Sequence, residues 1–136
     1  IVEPVREPVF GTLTWNPGIF KGTPPDFGAK VWLVKSADLP ALAKETGGTA
    51  DEPIPSGATG WPAKLDQMFP HTVADGNGKF AFTAVAPGTY TLIYLSKRAN
   101  GIFARDRAGK MRFKAITVAA GKPVDASYDF GVTAYR

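Results

Sequence analysis

The sequence predicts an all-β, antiparallel sandwich of about seven strands with one short helix. The 136 residues include fifteen glycines and twelve prolines, which divide the chain into short pieces. Several of these pieces alternate apolar with polar residues, and 12% of the chain is aromatic. Such alternation is the period of a half-buried strand, and short strands separated by turns form sandwiches or small barrels. The length suits a single hydrophobic core.

The chain divides at residue 8 into an extended leader, residues 1–8, and a single domain, residues 9–136. The leader is expected because its eight residues hold two prolines and three charged side chains. The domain opens with a strand from Val9 to Trp15, in which every second residue faces the core. Val9 and Leu13 are therefore expected to lie on the buried face.

A second strand is expected over residues 28–34, in the sequence GAKVWLV. Its inward set is Ala29, Val31 and Leu33, at strand spacing. Trp32 falls on the opposite face, so its side chain is expected to be partly exposed.

A long insertion, residues 35–71, follows this strand. Within it Leu39, Leu42 and Ala43 recur at helical spacing, which predicts the one short helix of the fold. The rest of the insertion is rich in Pro and Gly and predicts a loop, with room for one helical turn over residues 63–68.

Strand patterns return from His71 onward. The run from Asp75 to Gly78, DGNG, predicts a hairpin turn because glycine reaches positive φ at little cost. Further strands are expected over residues 79–85, 89–96, 112–119 and 124–132, with a short piece at 102–104.

Four segments carry a family resemblance: GAKVWL at 28–33, TVADGNGKFAF at 72–82, VAPGTYTL at 85–92 and ITVAAG at 116–121. They resemble the carboxypeptidase regulatory-like domains, which are small sandwiches akin to transthyretin. The resemblance implies a Greek-key, transthyretin-like sandwich with an accessory or scaffold role, in which the motif residues are structural. The linker after the second strand is usually short in such domains. If the protein has an individual activity, it is therefore expected in the insertion.

Composition argues against several classes of enzyme. The chain has no cysteine and one histidine, which excludes a disulfide scaffold, a thiol nucleophile and a thiolate metal site. No catalytic residues, cofactor or metal site can be assigned, so we expect a non-enzymatic accessory or interaction domain. Its expected setting is an exported bacterial protein, periplasmic, cell-surface or secreted after removal of a signal peptide. No run approaches the ~20 apolar residues of a membrane-spanning helix.

Two groups of residues are candidates for binding a protein or polysaccharide partner. The aromatic and histidine candidates belong to the second strand and the insertion: Trp32, Trp61, Phe69 and His71. Residues 97–114 contain seven basic residues and one acidic residue. Four of the basic residues are the candidates: Arg105, Arg107, Lys110 and Arg112. Such a segment is typical of a solvated hairpin whose charges prevent aggregation, and the alternative is a patch that binds a polyanion.

Two alternative functions stay open at this point. Exposed Trp32 and Trp61 would provide a stacking platform for a carbohydrate-binding module, although aromatic residues more often serve packing. His71 would be the centre of a small hydrolase or metal-binding protein, but no partner for it can be assigned. An ordinary histidine at the edge of a strand explains the same residue.

Overall fold

The computed structural model describes residues 6–16, 25, 28–49, 61–95 and 111–132 of the chain. Within these ranges it contains eight strands, one 3₁₀ turn and two α-helices. In chain order they are β1 (Glu7–Asn16), β2 (Lys30–Lys35), the 3₁₀ turn (Ser36–Asp38), α1 (Leu39–Thr46), α2 (Trp61–Met68), β3 (His71–Val73), β4 (Lys79–Val85), β5 (Gly88–Leu95), β6 (Met111–Val118), β7 (Val124–Asp125) and β8 (Tyr128–Val132).

The strands form two sheets, which confirms the predicted all-β sandwich. The first sheet has the order β4-β1-β7, with β8 also paired to β1, and the second has the order β3-β2-β5-β6. Two pairings differ from the antiparallel prediction. β1 runs parallel to both β7 and β8, so the first sheet is mixed.

The last predicted strand, residues 124–132, is divided into two. Ser127 lies in the interruption, where its N–H and hydroxyl both donate to Asp125 Oδ1. The hydroxyl oxygen also accepts a hydrogen bond from the Thr12 N–H at 2.8 Å. This bond replaces a backbone bond of the sheet where the chain turns from β7 to β8.

Alternation along β1 follows the sequence pattern. Val9 and Leu13 are completely buried, whereas Phe10 on the other face is 39% exposed. The strand begins at Glu7, two residues earlier than predicted. Gly11 is required by a close approach, because a Cβ there would lie 2.6 Å from the backbone N of Ser127.

The main core fills the space between the sheets. Tyr94 of β5 crosses this space, and its hydroxyl donates to the carbonyl of Ala126 at 2.7 Å. Its ring stacks on Tyr128 with 5.0 Å between centroids and meets Phe80 edge-on. A buried hydroxyl needs such a partner. Burial of this hydroxyl raises the pKa of Tyr94 well above its usual value.

The described parts of the insertion, residues 35–49 and 61–71, place two helices as a layer on the outer face of the second sheet. The predicted short helix is α1, which has proline in its first turn and ends at Gly47, with φ +79°. The expected single turn over residues 63–68 is part of a longer helix, α2. A second core lies beneath this layer, formed by buried residues of both helices and of β2 and β5: Trp32, Val34, Leu42, Leu65 and Ile93.

Some sequence-based expectations fall outside the described residues. These include most of the basic segment, the short strand expected over residues 102–104, and the first five residues of the leader. No helix in the described ranges is long and apolar enough to cross a membrane.

Candidate functional site

Asp66 of α2 ties the insertion to the second sheet. Its Oδ2 accepts a hydrogen bond from Lys30 Nζ at 2.6 Å, and its Oδ1 accepts one from Trp32 Nε1 at 2.9 Å. Both donors belong to β2, on the face that α2 covers. The ammonium group of Lys30 also lies 5.8 Å from the centre of the Trp32 ring, within the range of a cation–π contact.

Electrostatics at this junction favour the carboxylate form of Asp66. Burial raises the pKa of Asp66, but the hydrogen bonds from Lys30 and Trp32 and the nearby positive charge outweigh it, so the pKa is lowered. Both carboxylate oxygens are engaged by the sheet. The geometry therefore assigns Asp66 a structural contact between helix and strand.

His71 begins β3 beside this junction. Its Nε2 lies 3.8 Å from Asp66 Oδ1, and its Nδ1 lies 3.4 Å from the carbonyl oxygen of Phe69, to which it donates. Among the described residues no group of three or more His, Asp or Glu side chains is placed to hold a metal ion. The contacts with Asp66 and Phe69 hold the His71 ring at the junction.

The sequence pattern predicted that Trp32 is partly exposed, and this prediction is wrong. The residue is completely buried. The physical reason is the helical layer, which covers the outer face of β2 and makes that strand buried on both faces. Stacking on a sugar requires a free aromatic face, so Trp32 cannot serve in the predicted carbohydrate platform. Trp61 is the first residue of α2, and its side chain lies outside the described part of the structure.

A groove runs between the end of α2 and β4, and we call it the α2–β4 groove. It has a volume of about 550 Å³. Its apolar lining includes Met68, which is 45% exposed, with half-buried Phe69 and Phe82. Sequence reasoning singled out Phe69 and missed the other two. Met68 could have been noticed as an apolar residue at the end of the helical turn expected over residues 63–68.

Three charged side chains belong to this same groove. Arg6, Lys35 and Asp38 line it, and all three are exposed. Two cations and one anion give the groove a net positive charge. It thus combines exposed apolar side chains with positive charge, which is the composition of a surface for an amphipathic or acidic ligand.

A second cavity, of about 600 Å³, lies over the outer face of the first sheet. Its acidic groups are already engaged in local turns. Asp75 accepts the N–H groups of Asn77 and Lys79, and Asp125 accepts both donors of Ser127. These hydrogen bonds lower the pKa of each carboxyl. Both carboxylates therefore stabilise the turns in which they lie.

The described part of the basic segment begins at β6. Arg112 is half-buried there, on the same strand face as Ile116 and Val118, which belong to the main core. Lys114 shares this face, and its Nζ lies 3.4 Å from the carbonyl of Ser127. The other three basic candidates, Arg105, Arg107 and Lys110, lie outside the described residues. Polyanion binding by residues 97–114 stays a prediction.

Comparisons with solved structures identify proteins of similar fold. A Pseudomonas aeruginosa protein described as a candidate carbohydrate-binding protein is similar with a TM-score of 0.53 and 16% identity, over 94% of this chain and 90% of that one. The minor pilin GBS52 of Streptococcus agalactiae is similar with a TM-score of 0.46 and 12% identity, over 94% of this chain and 46% of that one. Serratia marcescens Lip is a membrane-bound component of the Type VI secretion system. Its TM-score is 0.42 and its identity 10%, over 97% of this chain and 96% of that one.

These likenesses concern the fold. The chain spans about half the length of the pilin that it matches. No family model matches the chain, and no curated protein matches it. The likeness to the Pseudomonas aeruginosa protein supports the sandwich fold, and the resemblance to carboxypeptidase regulatory-like domains stays a prediction.

Proposed function

We propose that this domain is a non-enzymatic interaction module of an exported bacterial protein, which binds a protein or envelope-polymer partner at the α2–β4 groove. The observation that carries the proposal is the groove itself. Met68, with nearly half of its side chain exposed, stands there between partly buried aromatic rings and a positively charged rim. Methionine adapts its shape to different apolar ligands, and concave apolar surfaces with a few polar groups are typical binding sites.

The polar groups near the groove support binding over catalysis. Asp66 is held by Lys30 and Trp32, and the ring of His71 contacts Asp66 and a backbone carbonyl. A general base would need to reach a substrate proton, whereas these groups are directed at one another. Their arrangement fixes the insertion on the sheet and so forms one wall of the groove.

An exported setting is part of the same proposal. The resemblance to carboxypeptidase regulatory-like domains supports an accessory role. The Pseudomonas aeruginosa protein of similar fold carries a candidate carbohydrate-binding description, so a polysaccharide belongs among the ligands to test. With Trp32 buried, a glycan would bind the groove and not the tryptophan platform expected from the sequence.

The experiment offers the purified domain a random-peptide phage library and a bacterial glycan array. Ligands selected on the original domain are then measured by calorimetry against Met68→Glu. We expect at least about tenfold weaker binding by this variant, because a buried apolar contact becomes a buried charge.

Val73→Glu is the matched control, since Val73 is an equally exposed apolar residue on β3 that lies outside the groove. We expect this variant to retain affinity. The proposal is wrong if neither library gives a ligand, or if both substitutions weaken binding equally.

A further inference from the structure

Lys35 is the last residue of β2 and continues the face of that strand that points into the main core. Val31 and Leu33 are buried residues of this face, and side chains two residues apart lie on the same face of a strand. Across the sheet Lys35 is paired with Tyr90, a buried residue of the main core, and directly opposite residues share a face. Lys35 itself is exposed. The strand therefore places a cation where the space between the sheets opens to solvent.

The α2–β4 groove is an opening into this space. Three of the residues that line it, Leu33, Val85 and Tyr90, belong to the main core and come from both sheets. Phe82, which packs against that core, and Met68 also line the groove. An apolar side chain that enters the groove from a ligand therefore meets core residues at the floor and positive charge at the rim.

The two cations of the rim, Arg6 and Lys35, form no ion pair with any residue that the structure describes. Both ion pairs within the described ranges involve Asp66, and Asp38, the anion of the rim, takes part in neither. A carboxylate brought by a ligand would therefore meet cations that no described side chain neutralises. A second copy of the domain would bring the same cations, because a two-fold interface uses the same patch on both subunits. Repulsion between them opposes self-association at the groove.

The chemistry of the lining favours a peptide over a glycan or a free fatty acid. A glycan offers mainly hydroxyl groups, whose burial against the apolar floor would cost free energy. A fatty acid offers an apolar chain and a carboxylate, but no hydrogen-bond donor. The exposed Asp38 carboxylate and Thr83 hydroxyl in the lining can accept hydrogen bonds from N–H groups, which a peptide carries along its whole length.

We propose that the α2–β4 groove binds a segment of another protein in which a large apolar residue stands beside an aspartate or glutamate. The apolar side chain fills the opening between the sheets, and the carboxylate pairs with Lys35 at its mouth. Arg6 adds positive charge to the same rim. The inference rests on the proposed function and narrows its ligand from any protein or polymer to a peptide of this composition.

The test uses the phage-selected peptides, which should share a large apolar residue next to an acidic one. In synthetic versions, replacing the acidic residue by its amide should weaken binding to the purified domain about two- to fivefold, the range of an exposed ion pair. Replacing the apolar residue by alanine should weaken binding at least about tenfold. Added salt should weaken the binding of the acidic peptide more than that of its amide version.

A double-mutant cycle examines the pairing from the side of the domain. Lys35→Gln should weaken binding of the acidic peptide about two- to fivefold and leave binding of the amide peptide nearly unchanged, because the second change finds the pair already broken. Lys79→Gln is the matched control, since Lys79 is also exposed but lies outside the groove, and it should change neither affinity. In the complex, NMR should show contacts between the apolar peptide side chain and the methyl groups of Leu33 and Val85.

The outcomes separate this inference from the proposed function. If peptides bind without coupling to Lys35, or without contacts to Leu33 and Val85, the inference is wrong but the interaction module stands. The same holds if only glycans bind. Decanoate that binds more tightly than every selected peptide would assign the opening to a free fatty acid and overturn the inference. Methyl shifts that grow with domain concentration in the absence of peptide would place a second copy in the groove and overturn it as well. If no ligand binds, both proposals fail.

Discussion

Trp32 donates its indole N–H to Oδ1 of Asp66 at 2.9 Å, joining residues that are 34 positions apart in the chain. The Oδ2 atom of the same carboxylate lies 2.6 Å from Nζ of Lys30, two residues before Trp32 on β2. Helix α2 is thus attached to β2 by a polar contact as well as by Leu65, which is buried in the second core. Because α2 forms one wall of the groove, this contact also determines the shape of the proposed binding site.

Substituting Asp66 by alanine should lower the free energy of unfolding by about 2–3 kcal/mol, because it leaves the buried indole N–H of Trp32 without an acceptor and Lys30 without its counter-ion. Chemical denaturation measures the loss. Asp66→Asn keeps an acceptor and should cost less. Asp38→Ala, at an exposed carboxylate that caps its helix through no side-chain hydrogen bond, should change stability by less than about 0.5 kcal/mol. An equal effect of the alanine variants would contradict the role of the junction.

Stability should fall in acid. The pKa values of Asp66, Asp75 and Asp125 are all lowered in the folded state. A carboxyl whose folded pKa lies below its unfolded value stabilises the fold above the unfolded pKa, and that stabilisation is lost as the pH falls through the folded pKa. The free energy of unfolding should therefore decrease below about pH 4.

Denaturation curves recorded between neutral pH and strong acid check this dependence. Asp66→Asn should show a smaller decrease than the original protein, because one of the three carboxyls no longer titrates. Stability that is constant or rises toward low pH would be inconsistent with the hydrogen bonds described for these groups.

Trp32 should fluoresce as a residue shielded from water. A variant with Trp15→Phe and Trp61→Phe retains Trp32 alone, and its emission should be blue-shifted and resistant to quenching by iodide. Unfolding in denaturant should shift the emission to the red and make it quenchable. Strong iodide quenching in the folded state would mean that the helical layer does not cover β2.

Gly11 should not tolerate a side chain. A Cβ at this position would lie 2.6 Å from Ser127 N and 2.8 Å from the carbonyl carbon of Ala126, both backbone atoms. Gly11→Ala should therefore cost about 1–3 kcal/mol or more, through displacement of β1 from its neighbours. Gly76→Ala is the matched control, since a Cβ there meets nothing within 4 Å. Equal unfolding midpoints for the two variants would argue against the close approach.

The sequence predicted the burial of side chains best where the alternation of one strand alone determines it. Along β1 the alternation places Val9 and Leu13 inside and Phe10 outside, as the structure shows. For Trp32 the same reasoning was wrong, because its burial depends on helices that are distant in the chain. Alternation identifies the two faces of a strand, but it does not reveal what another segment will place on the outer one.

The candidate site was likewise predicted only in part. Phe69 and His71 were singled out because they belong to an insertion, and both lie beside α2. The contact between Asp66 and β2 depends on the angle at which the helix packs, and the groove depends on a gap between elements from different sheets. Neither feature has a periodicity that could be read along the chain.

The parallel contact between β1 and β8 has a mechanical consequence. Leu13 pairs with Tyr128 and Thr14 with Asp129, with both strands running the same way. A tensile load that enters ahead of β1 and leaves after β8 pulls these neighbours past each other, so the hydrogen bonds between the two parallel strands carry the load together. In a hairpin loaded at its open end the bonds break one at a time. Under tension along the chain, this contact therefore resists extension by shear.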